Sequence, residues 1–429
     1  MFLGRTHKLV SPKNRRSLAM KILFLNQFYW PDTAATGQLL NDLTEQLAAA
    51  GDTVSVICGS ASYGAVTGAP PPKVRIYRLK TSSFSRKVAG RMGSYLSFLF
   101  GAFWQSLRLS APDVVVTLTT PPLLSLIGLM IQKLRGARHI IWEMDVYPDV
   151  AVDLGVLKPD GIAAKLFGWL ADLPRRHADQ VIVLGECMRA RLVAHGIPAS
   201  KIVIAENWAG RNEFAEPGRR ESPLVVTDAI SILYSGNFGL AHDAKTICTA
   251  MAELDNRQTG RNNFRFTFAG GGSGHGWLQN FCRKHKLRNA VFQGYCERQE
   301  LDARLVSGHI GLVTQKNECL GSAVPSKTYG IMAAGRPILF IGPKESTPAR
   351  IIEQYNCGWQ IECGDVQGLI ELLDCLHAQP ELIVAAGARA YRAFIAQYQR
   401  SIGVSRIMAI IGEEKAVEST ISAQQMASR

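Results

Sequence analysis

Residues 325–339 read Pro-Ser-Lys-Thr-Tyr-Gly-Ile-Met-Ala-Ala-Gly-Arg-Pro-Ile-Leu, and this stretch shows in short form how the chain is built. Its proline suits the first turn of a helix, and Ser326 can accept a hydrogen bond from the unpaired backbone N–H groups there. Residues 328–334 form a helical run, Gly335 is a C-terminal stop, and the apolar residues 338–341 form a strand. The stretch therefore predicts a short helix that leads through a glycine into a buried strand.

The same alternation of helix and strand patterns runs outward from this stretch in two series. The first series contains apolar strands at 21–27 and 53–58, with a helical run at 38–50 between them, and the second begins with a strand at 230–234. Alternation of this kind implies right-handed crossovers and parallel sheets covered by helices. Since 429 residues are too many for one ordinary core, the sequence predicts an α/β fold of two doubly wound, Rossmann-like domains that face a central cleft.

Composition sets the predicted boundaries. The N-terminal residues are basic and lack the apolar core of a signal peptide, so we expect a disordered leader there. A polar stretch with Pro217, Gly218 and Pro223 is predicted to link the two domains, and the polar C-terminal residues are expected to fray. The predicted segments are a leader (1–19), a first domain (20–208), a linker (209–229), a second domain (230–384), C-terminal helices (385–411) and a tail (412–429).

The net charge of +13 is concentrated in the first half of the chain. Residues 1–215 hold 25 Lys and Arg against 15 Asp and Glu. A basic half suggests an anionic partner, such as nucleic acid, membrane phosphates or a phosphorylated substrate. The sequence contains no zinc finger, recognition helix or aromatic ribonucleoprotein motif, so we do not expect nucleic acid to be the partner.

The nine cysteines are scattered, odd in number and never spaced Cys-x-x-Cys, which predicts reduced thiols in the cytoplasm. No His-Glu-x-x-His spacing occurs, so no protein-bound catalytic metal is expected. No apolar run reaches the length of a membrane span. The longest runs, Gly93–Trp104 and Leu123–Ile131, fit either a buried helix or a helix in a bilayer interface, because basic residues flank the first of them.

Three loops at predicted strand ends are rich in glycine or otherwise unusual. Residues 29–37 end in Thr36 and Gly37, and the others are 235–239 and 269–274. None is a Gly-x-Gly-x-x-Gly fingerprint or a Walker loop. A helix start with a lysine, such as Ser326-Lys327, is a ready anion site. Together these features predict a phosphorylated or nucleotide ligand.

The order of these motifs resembles that of the family-4 retaining glycosyltransferases of GT-B fold. The resemblance is to their colanic-acid and exopolysaccharide branch, and it covers about residues 20–400. Besides the 325–337 motif, it includes the sequences at 26–32, 142–149, 235–239, 268–272 and 291–295. It implies a nucleotide-diphosphate sugar as donor, no metal ion, no cofactor, retention of anomeric configuration, a lipid-linked saccharide acceptor, and C-terminal helices that cross back onto the first domain.

The resemblance also implies site residues. Catalytic roles fall to Asp145 and Lys327, and acceptor-side roles to Thr36, Gly37 and Tyr147. The donor side is implied at Gly236, Asn237, Phe238, Gly239, His242, Gly270, Gly271, Gly294, Tyr295, Pro325, Ser326, Lys327 and Thr328. An anionic membrane surface on the cytoplasmic side is the expected location.

Some family positions differ in this chain. Ser322 and Gly330 stand where many relatives have a pair of glutamates, and the second of these normally holds the donor ribose. Asn237 and His242 stand where relatives often have Arg and Lys, so we expect Lys327 to neutralise more of the diphosphate, with His242 or Arg336 as helpers. These differences leave two alternatives open, namely a non-catalytic nucleotide-sugar-binding scaffold and a sugar-nucleotide epimerase of the same fold.

Overall fold

The structure is a computed structural model that describes residues 19–60, 70–80, 88–209, 225–226, 229–257, 263–297 and 300–427. Almost all of the predicted leader and linker therefore lies outside the described residues. Within them the chain forms two α/β domains, each built on a parallel sheet, as the alternation of patterns predicted.

The first domain contains seven parallel strands in the order β3-β2-β1-β4-β5-β6-β7. This is the doubly wound order, in which the direction of strand addition reverses between β1 and β4. The strands are β1 (Lys21–Leu25), β2 (Thr53–Cys58), β3 (Val74–Arg78), β4 (Val114–Thr117), β5 (Arg138–Trp142), β6 (Gln180–Val183) and β7 (Ile202–Ile204).

Helices cover both faces of this sheet. The longer ones were predicted from their apolar periodicity, whereas two short ones, α4 and α6, were not. The helices are α1 (Ala35–Ala49), α2 (Val88–Arg108), α3 (Ser125–Arg135), α4 (Asp149–Asp153), α5 (Ile162–His177) and α6 (Glu186–Ala194).

The second domain repeats the plan with six parallel strands in the order β10-β9-β8-β11-β12-β13. Its direction of addition reverses between β8 and β11. The strands are β8 (Ile230–Asn237), β9 (Phe264–Gly271), β10 (Ala290–Gln293), β11 (Ile310–Thr314), β12 (Ile338–Ile341) and β13 (Gly358–Ile361).

The opening stretch of sequence folds largely as predicted. The strand 338–341 is β12, all four of its residues are buried, and Gly335 has the left-handed φ of +64° expected of a helix stop. The remaining helices are α7 (Lys245–Arg257), α8 (His275–Lys284), α9 (Leu301–Val306), α10 (Lys327–Ala333), α11 (Thr347–Tyr355), α12 (Val366–Ala378), α13 (Glu381–Ala393) and α14 (Arg400–Ala427).

The C-terminal helix crosses back to the first domain, as the resemblance implied. Arg400 on α14 forms ion pairs with Asp42 and Glu45 on α1, at 2.8 Å in both cases. Arg138 on β5 donates hydrogen bonds to the carbonyl groups of residues 410 and 411. α14 continues to Ala427, so the segment that we expected to fray from residue 412 is helical in the structure.

Candidate functional site

The carboxyl end of β8 lies at the point where the second sheet reverses its strand order, the usual place for a ligand in such sheets. Strands β8 and β9 stay paired to their last residues, with Gly236 opposite Gly270 and Asn237 opposite Gly271. Three of the glycines that we placed in loops, Gly236, Gly270 and Gly271, therefore belong to two paired strand ends. Of these four paired positions, only Asn237 carries a side chain.

Glycine is required at two of these positions. Gly236 has a φ of +128°, and a Cβ atom there would lie 2.7 Å from Cε of Lys327. Gly270 has a φ of +126°, and its Cβ would lie 2.2 Å from the carbonyl oxygen of Gly236. Both the backbone conformation and the close approach exclude a side chain. The strand ends and Lys327 are thus packed into one unit.

Lys327 is the first residue of α10 and lies over the end of β8. Its Nζ is 3.4 Å from the carbonyl oxygen of Asn237 and 5.2 Å from the centre of the Tyr234 ring. Among the described residues no carboxylate forms an ion pair with it. Desolvation lowers the pKa of Lys327 to about 8. An ammonium group held in this way is suited to an incoming anion, which would supply the missing negative charge.

The start of α10 differs from the prediction. Ser326 is exposed, and its side chain makes no capping hydrogen bond, so the capping role that we gave it is wrong. The first turn is instead held by Thr328, whose hydroxyl donates to the carbonyl of Pro325 at 3.1 Å. Pro325, Ser326 and Thr328 can still contribute to the site through the backbone beside Lys327.

We expected His242 or Arg336 to help Lys327 neutralise a diphosphate, but the surroundings of each residue argue against that role. His242 donates from Nδ1 to the carbonyl of Thr314 at 2.8 Å, and burial, with Lys327 nearby, lowers its pKa to about 4. The imidazole is therefore neutral at pH 7. Arg336 is buried and donates to the carbonyl groups of Gly308 and Val306. Of these three residues, Lys327 is the one whose charged group lies at the end of β8.

Phe238 and Gly239 hold the turn together. The Phe238 ring is buried against Tyr234 in the core, its N–H donates to Gly271, and its carbonyl accepts from Gly274. The ring and both backbone groups of Phe238 thus have partners within the protein, and its contact with the sugar-nucleotide donor stays a prediction. Gly239 accepts a long hydrogen bond of 3.4 Å from the N–H of His242, which fixes the imidazole beside the strand ends.

An exposed aromatic ring lies next to the glycine strand ends. Tyr295 is 68% exposed, and its ring would be 3.0 Å from a Cβ atom on Gly271. The preceding residue, Gly294, accepts a hydrogen bond from Arg304 at 2.6 Å. The structure therefore brings Tyr295 to the same strand ends as Lys327, where a ring could stack on a planar ligand.

Asp145 approaches the site from the first domain. It forms a bridge with Ala323, four residues before Lys327, and the N–H of Val146 donates to the carbonyl of Ser322 at 2.8 Å. Desolvation, with a smaller contribution from Glu143, raises the pKa of Asp145 to about 6. Asp145 of the first domain thus contacts the second domain four residues before Lys327 in the chain.

A buried ion-pair network under the Asp145 loop was not predicted. Arg175 donates to Glu143 at 2.5 Å and to Asp172 at 2.9 Å, and His195 contacts both Asp172 and Asp149. Hydrogen bonds to these two carboxylates raise the pKa of His195 to about 9. Because Glu143 and Arg175 are 32 positions apart, no spacing in the sequence indicates this pairing.

Two family matches cover most of the chain. Residues 35–208 match the glycosyl transferase 4-like domain, and residues 217–393 match the glycosyl transferases of group 1. The chain belongs to the family-4 glycosyltransferases. Its relatives include enzymes of exopolysaccharide biosynthesis, and its two domains have the GT-B fold.

Individual relatives agree with this assignment. WbjE of Pseudomonas aeruginosa, described as a glycosyltransferase, is 28% identical over 65% of this chain and 70% of its own length. WcaI of Escherichia coli K12, described as a colanic acid biosynthesis glycosyl transferase, is 26% identical over 74% of this chain and 82% of its own. The crystal structure of HepE from Anabaena with UDP-glucose has a TM-score of 0.64 and 11% identity, over 91% of this chain and 99% of that one.

The two positions at which this glycosyltransferase lacks the glutamates of its relatives have different surroundings. Ser322 is fully buried and hydrogen-bonds with Asp153 of the first domain, so it contributes to the contact between domains. Gly330 is partly exposed on α10, and a Cβ atom there would contact only Leu305, at 3.7 Å. A Cβ atom at position 330 is therefore sterically allowed.

The acceptor-side residues lie at the carboxyl edge of the first sheet. Thr36 and Gly37 are in the first turn of α1, and a Cβ on Gly37 would lie 3.2 Å from the backbone of Phe28. Tyr147 is half-buried, and its carbonyl accepts a hydrogen bond from Arg175. Their contact with an acceptor stays a prediction.

The described residues contain no group of three or more His, Cys, Asp or Glu side chains that could hold a metal ion. All nine cysteines are free thiols. None of the described helices has both the length and the apolar character needed to cross a membrane.

Proposed function

We propose that this chain is a retaining, metal-independent glycosyltransferase that moves a sugar from a nucleoside-diphosphate donor to a lipid-linked saccharide. We place the reaction in exopolysaccharide or O-antigen-type synthesis at the cytoplasmic face of a membrane. The observation that carries this proposal is the desolvated ammonium group of Lys327, held over two glycine strand ends with no carboxylate partner among the described residues.

In this proposal Lys327 binds the donor diphosphate. Negative charge grows on the leaving nucleoside diphosphate as the bond to the sugar breaks, so a cation fixed beside it stabilises the transition state more than the ground state. Backbone groups at 326–328 and at Gly236 complete the phosphate site. Tyr295 lies where it can stack on the base, and UDP is the first ligand to test because HepE was crystallised with UDP-glucose.

Asp145 acts on the sugar side of the cleft. Its carboxyl group is ionised above about pH 6 and can accept a hydrogen bond from a hydroxyl of the transferred sugar or of the acceptor. The Glu143–Arg175 pair lies beneath the loop that carries Asp145 and positions it.

Turnover of nucleotide sugars tests the proposal. Purified protein is incubated with UDP-, GDP- and TDP-sugars and a membrane extract, and sugar transfer and nucleotide release are measured. We expect one donor to be used, with transfer lost in Lys327→Ala and Asp145→Ala. If the protein bound none of the nucleotides and transferred none of the sugars, the proposal would be wrong.

The absence of a carboxylate at both Ser322 and Gly330 favours a second candidate, a scaffold that binds nucleotide sugars without transfer. Such a protein would bind a nucleotide, and Lys327→Ala would abolish binding, but no acceptor would be glycosylated. Conversion of the donor sugar without any acceptor would instead indicate the epimerase alternative.

A further inference from the structure

Three neighbouring helices of the first domain carry an unusual share of exposed apolar side chains. Eight of the sixteen large apolar side chains that are exposed in the described parts of the chain lie on α2, α3 and α5. α3 packs against both α2 and α5, so the outer surfaces of the three helices adjoin. We call this surface the outer face; its apolar residues are Leu96, Phe100, Trp104, Met130, Leu134, Ile162, Leu166 and Trp169.

The spacing of these residues forms stripes along the helices. Leu96, Phe100 and Trp104 follow one another at intervals of four on α2, and all three are at least 47% exposed. The opposite side of the same helix is core, because Phe98 and Ala102 are fully buried. The apolar run Gly93–Trp104, for which the sequence left a buried helix and an interfacial helix open, thus has one side buried and the other exposed to solvent.

Cations lie along the stripes, and carboxylates are nearly absent. Arg108 continues the α2 stripe by one more interval of four, and Lys133 and Lys165 are exposed beside the apolar residues of α3 and α5. The sequences of the three helices contain a single carboxylate, Asp172. That carboxylate is buried and paired with Arg175, so it does not offset the positive charge of the outer face.

We infer that the outer face binds the surface of a bilayer that contains anionic phospholipids. Apolar side chains in the acyl boundary and cations at the level of the phosphates are the two features that hold a helix in a membrane interface. A second copy of this chain is a poorer partner. A symmetric dimer through this face would bring together two copies of the cations Arg108, Lys133 and Lys165, while the three helices themselves supply only the buried and paired Asp172.

The direction of the helices connects this surface with the cleft. Helices in a parallel α/β domain begin near the carboxyl edge of the sheet, which here faces the cleft. The apolar stripe of α5 accordingly starts at that edge with Ile162, which is 86% exposed. If the proposed function holds, a lipid-anchored acceptor reaches the cleft from the bilayer without withdrawing its lipid.

Vesicle flotation tests the inference with wild type and three variants. The apolar variant carries Phe100→Ser, Trp104→Ser and Trp169→Ser, and the charge variant carries Arg108→Gln, Lys133→Gln and Lys165→Gln. Their matched control carries Trp277→Ser and Leu382→Ser, which are exposed on the second domain. Vesicles are made of phosphatidylcholine alone or mixed with phosphatidylglycerol.

We expect wild type and control to float with the anionic vesicles and to be released at high salt. The apolar variant should partition at least about tenfold more weakly, and the charge variant about a hundredfold more weakly. Lipids brominated on their acyl chains should quench the tryptophan fluorescence of wild type. A double variant with Trp104→Phe and Trp169→Phe should lose most of that quenching but should still float with the vesicles.

Two flotation results would overturn the inference. One is a wild type that does not bind anionic vesicles, and the other is binding that persists in both face variants. Sedimentation showing a dimer that the apolar variant abolishes would assign the face to self-association and also overturn it. Thermal shift with UDP and GDP on the same samples separates the two proposals, because nucleotide binding without flotation contradicts only the membrane inference.

Discussion

Replacing Lys327 with methionine should make the protein more stable and a weaker nucleotide binder. Methionine keeps most of the length and the apolar stem of the side chain but removes the charge. In the folded protein that charge is desolvated beside the Tyr234 ring and has a long hydrogen bond of 3.4 Å to Asn237. The ammonium group therefore destabilises the empty site and stabilises the occupied one.

The size of the stability effect follows from the pKa. Burial lowers the pKa of Lys327 to about 8, whereas lysine in an unfolded chain titrates near ~10.4. A shift of this size corresponds to ~3 kcal/mol in full burial, which we reduce to about 1–2 kcal/mol because the side chain is partly exposed. At pH 7 the methionine variant should be more stable by that amount.

The pH dependence has a defined sign. Below about pH 8 Lys327 is charged in both states, and the folded protein carries the whole destabilisation. Between about pH 8 and ~10.4 the unfolded chain binds more protons, so wild-type stability rises with pH. The advantage of Lys327→Met should therefore be largest below pH 8 and disappear by about pH 10. Lys344→Met, at an exposed lysine, is the control and should show neither effect.

Nucleotide binding should change in the opposite direction. A hydrogen bond to a charged group contributes ~1.5–3 kcal/mol, so Lys327→Met should weaken UDP or GDP binding by roughly 10- to 150-fold. Calorimetric titration measures the affinity, and urea unfolding measures the stability. In wild type the affinity should fall by up to about tenfold per pH unit above pH 8. A methionine variant that is less stable than wild type, or that binds the nucleotide equally well, would refute this reasoning.

Three further predictions concern other parts of the site. The transfer rate of wild type should fall below about pH 6 as Asp145 takes up a proton. Asp145→Asn should be at least about tenfold slower, and its pH–rate profile should show no such fall. If the rate of Asp145→Asn still fell near pH 6, the titrating group would be a residue other than Asp145. Gly330→Ala should stabilise α10 by about 0.5–1 kcal/mol, measured by urea unfolding. Gly330→Glu should in addition tighten nucleotide binding by about 5- to 10-fold if the ribose lies beside position 330. Equal nucleotide affinities for the two variants would argue against that position for the ribose. Arg175→Met leaves Glu143 buried and unpaired and should destabilise the protein by about 3–5 kcal/mol, part of which Glu143→Gln should restore; a fully stable Arg175→Met would show that the pair is not needed for folding.

Elements with a strong local signal were predictable. β2 was predicted at its observed bounds because its residues are apolar and β-branched, and the stop at Gly335 follows from a conformation that glycine adopts easily. α11 could have been found, since Ser346 caps it and Pro348 lies in its first turn. α6 could not have been found, because its apolar residues do not fall on one side of the helix. Its position depends on contacts with the neighbouring strands β6 and β7.

The sequence by itself determined the two doubly wound domains, the glycine strand ends and the position of Lys327, because each depends on residues close together in the chain. Only the tertiary structure decided which charges serve the site. Arg336 is held by carbonyl groups of another segment, and His242, although it lies beside the strand ends, is kept neutral by burial and by its neighbour Lys327. It likewise decided that one side of α2 is exposed and that Asp145 meets the second domain at Ala323, because burial, desolvation and contact between domains depend on residues far apart in the chain.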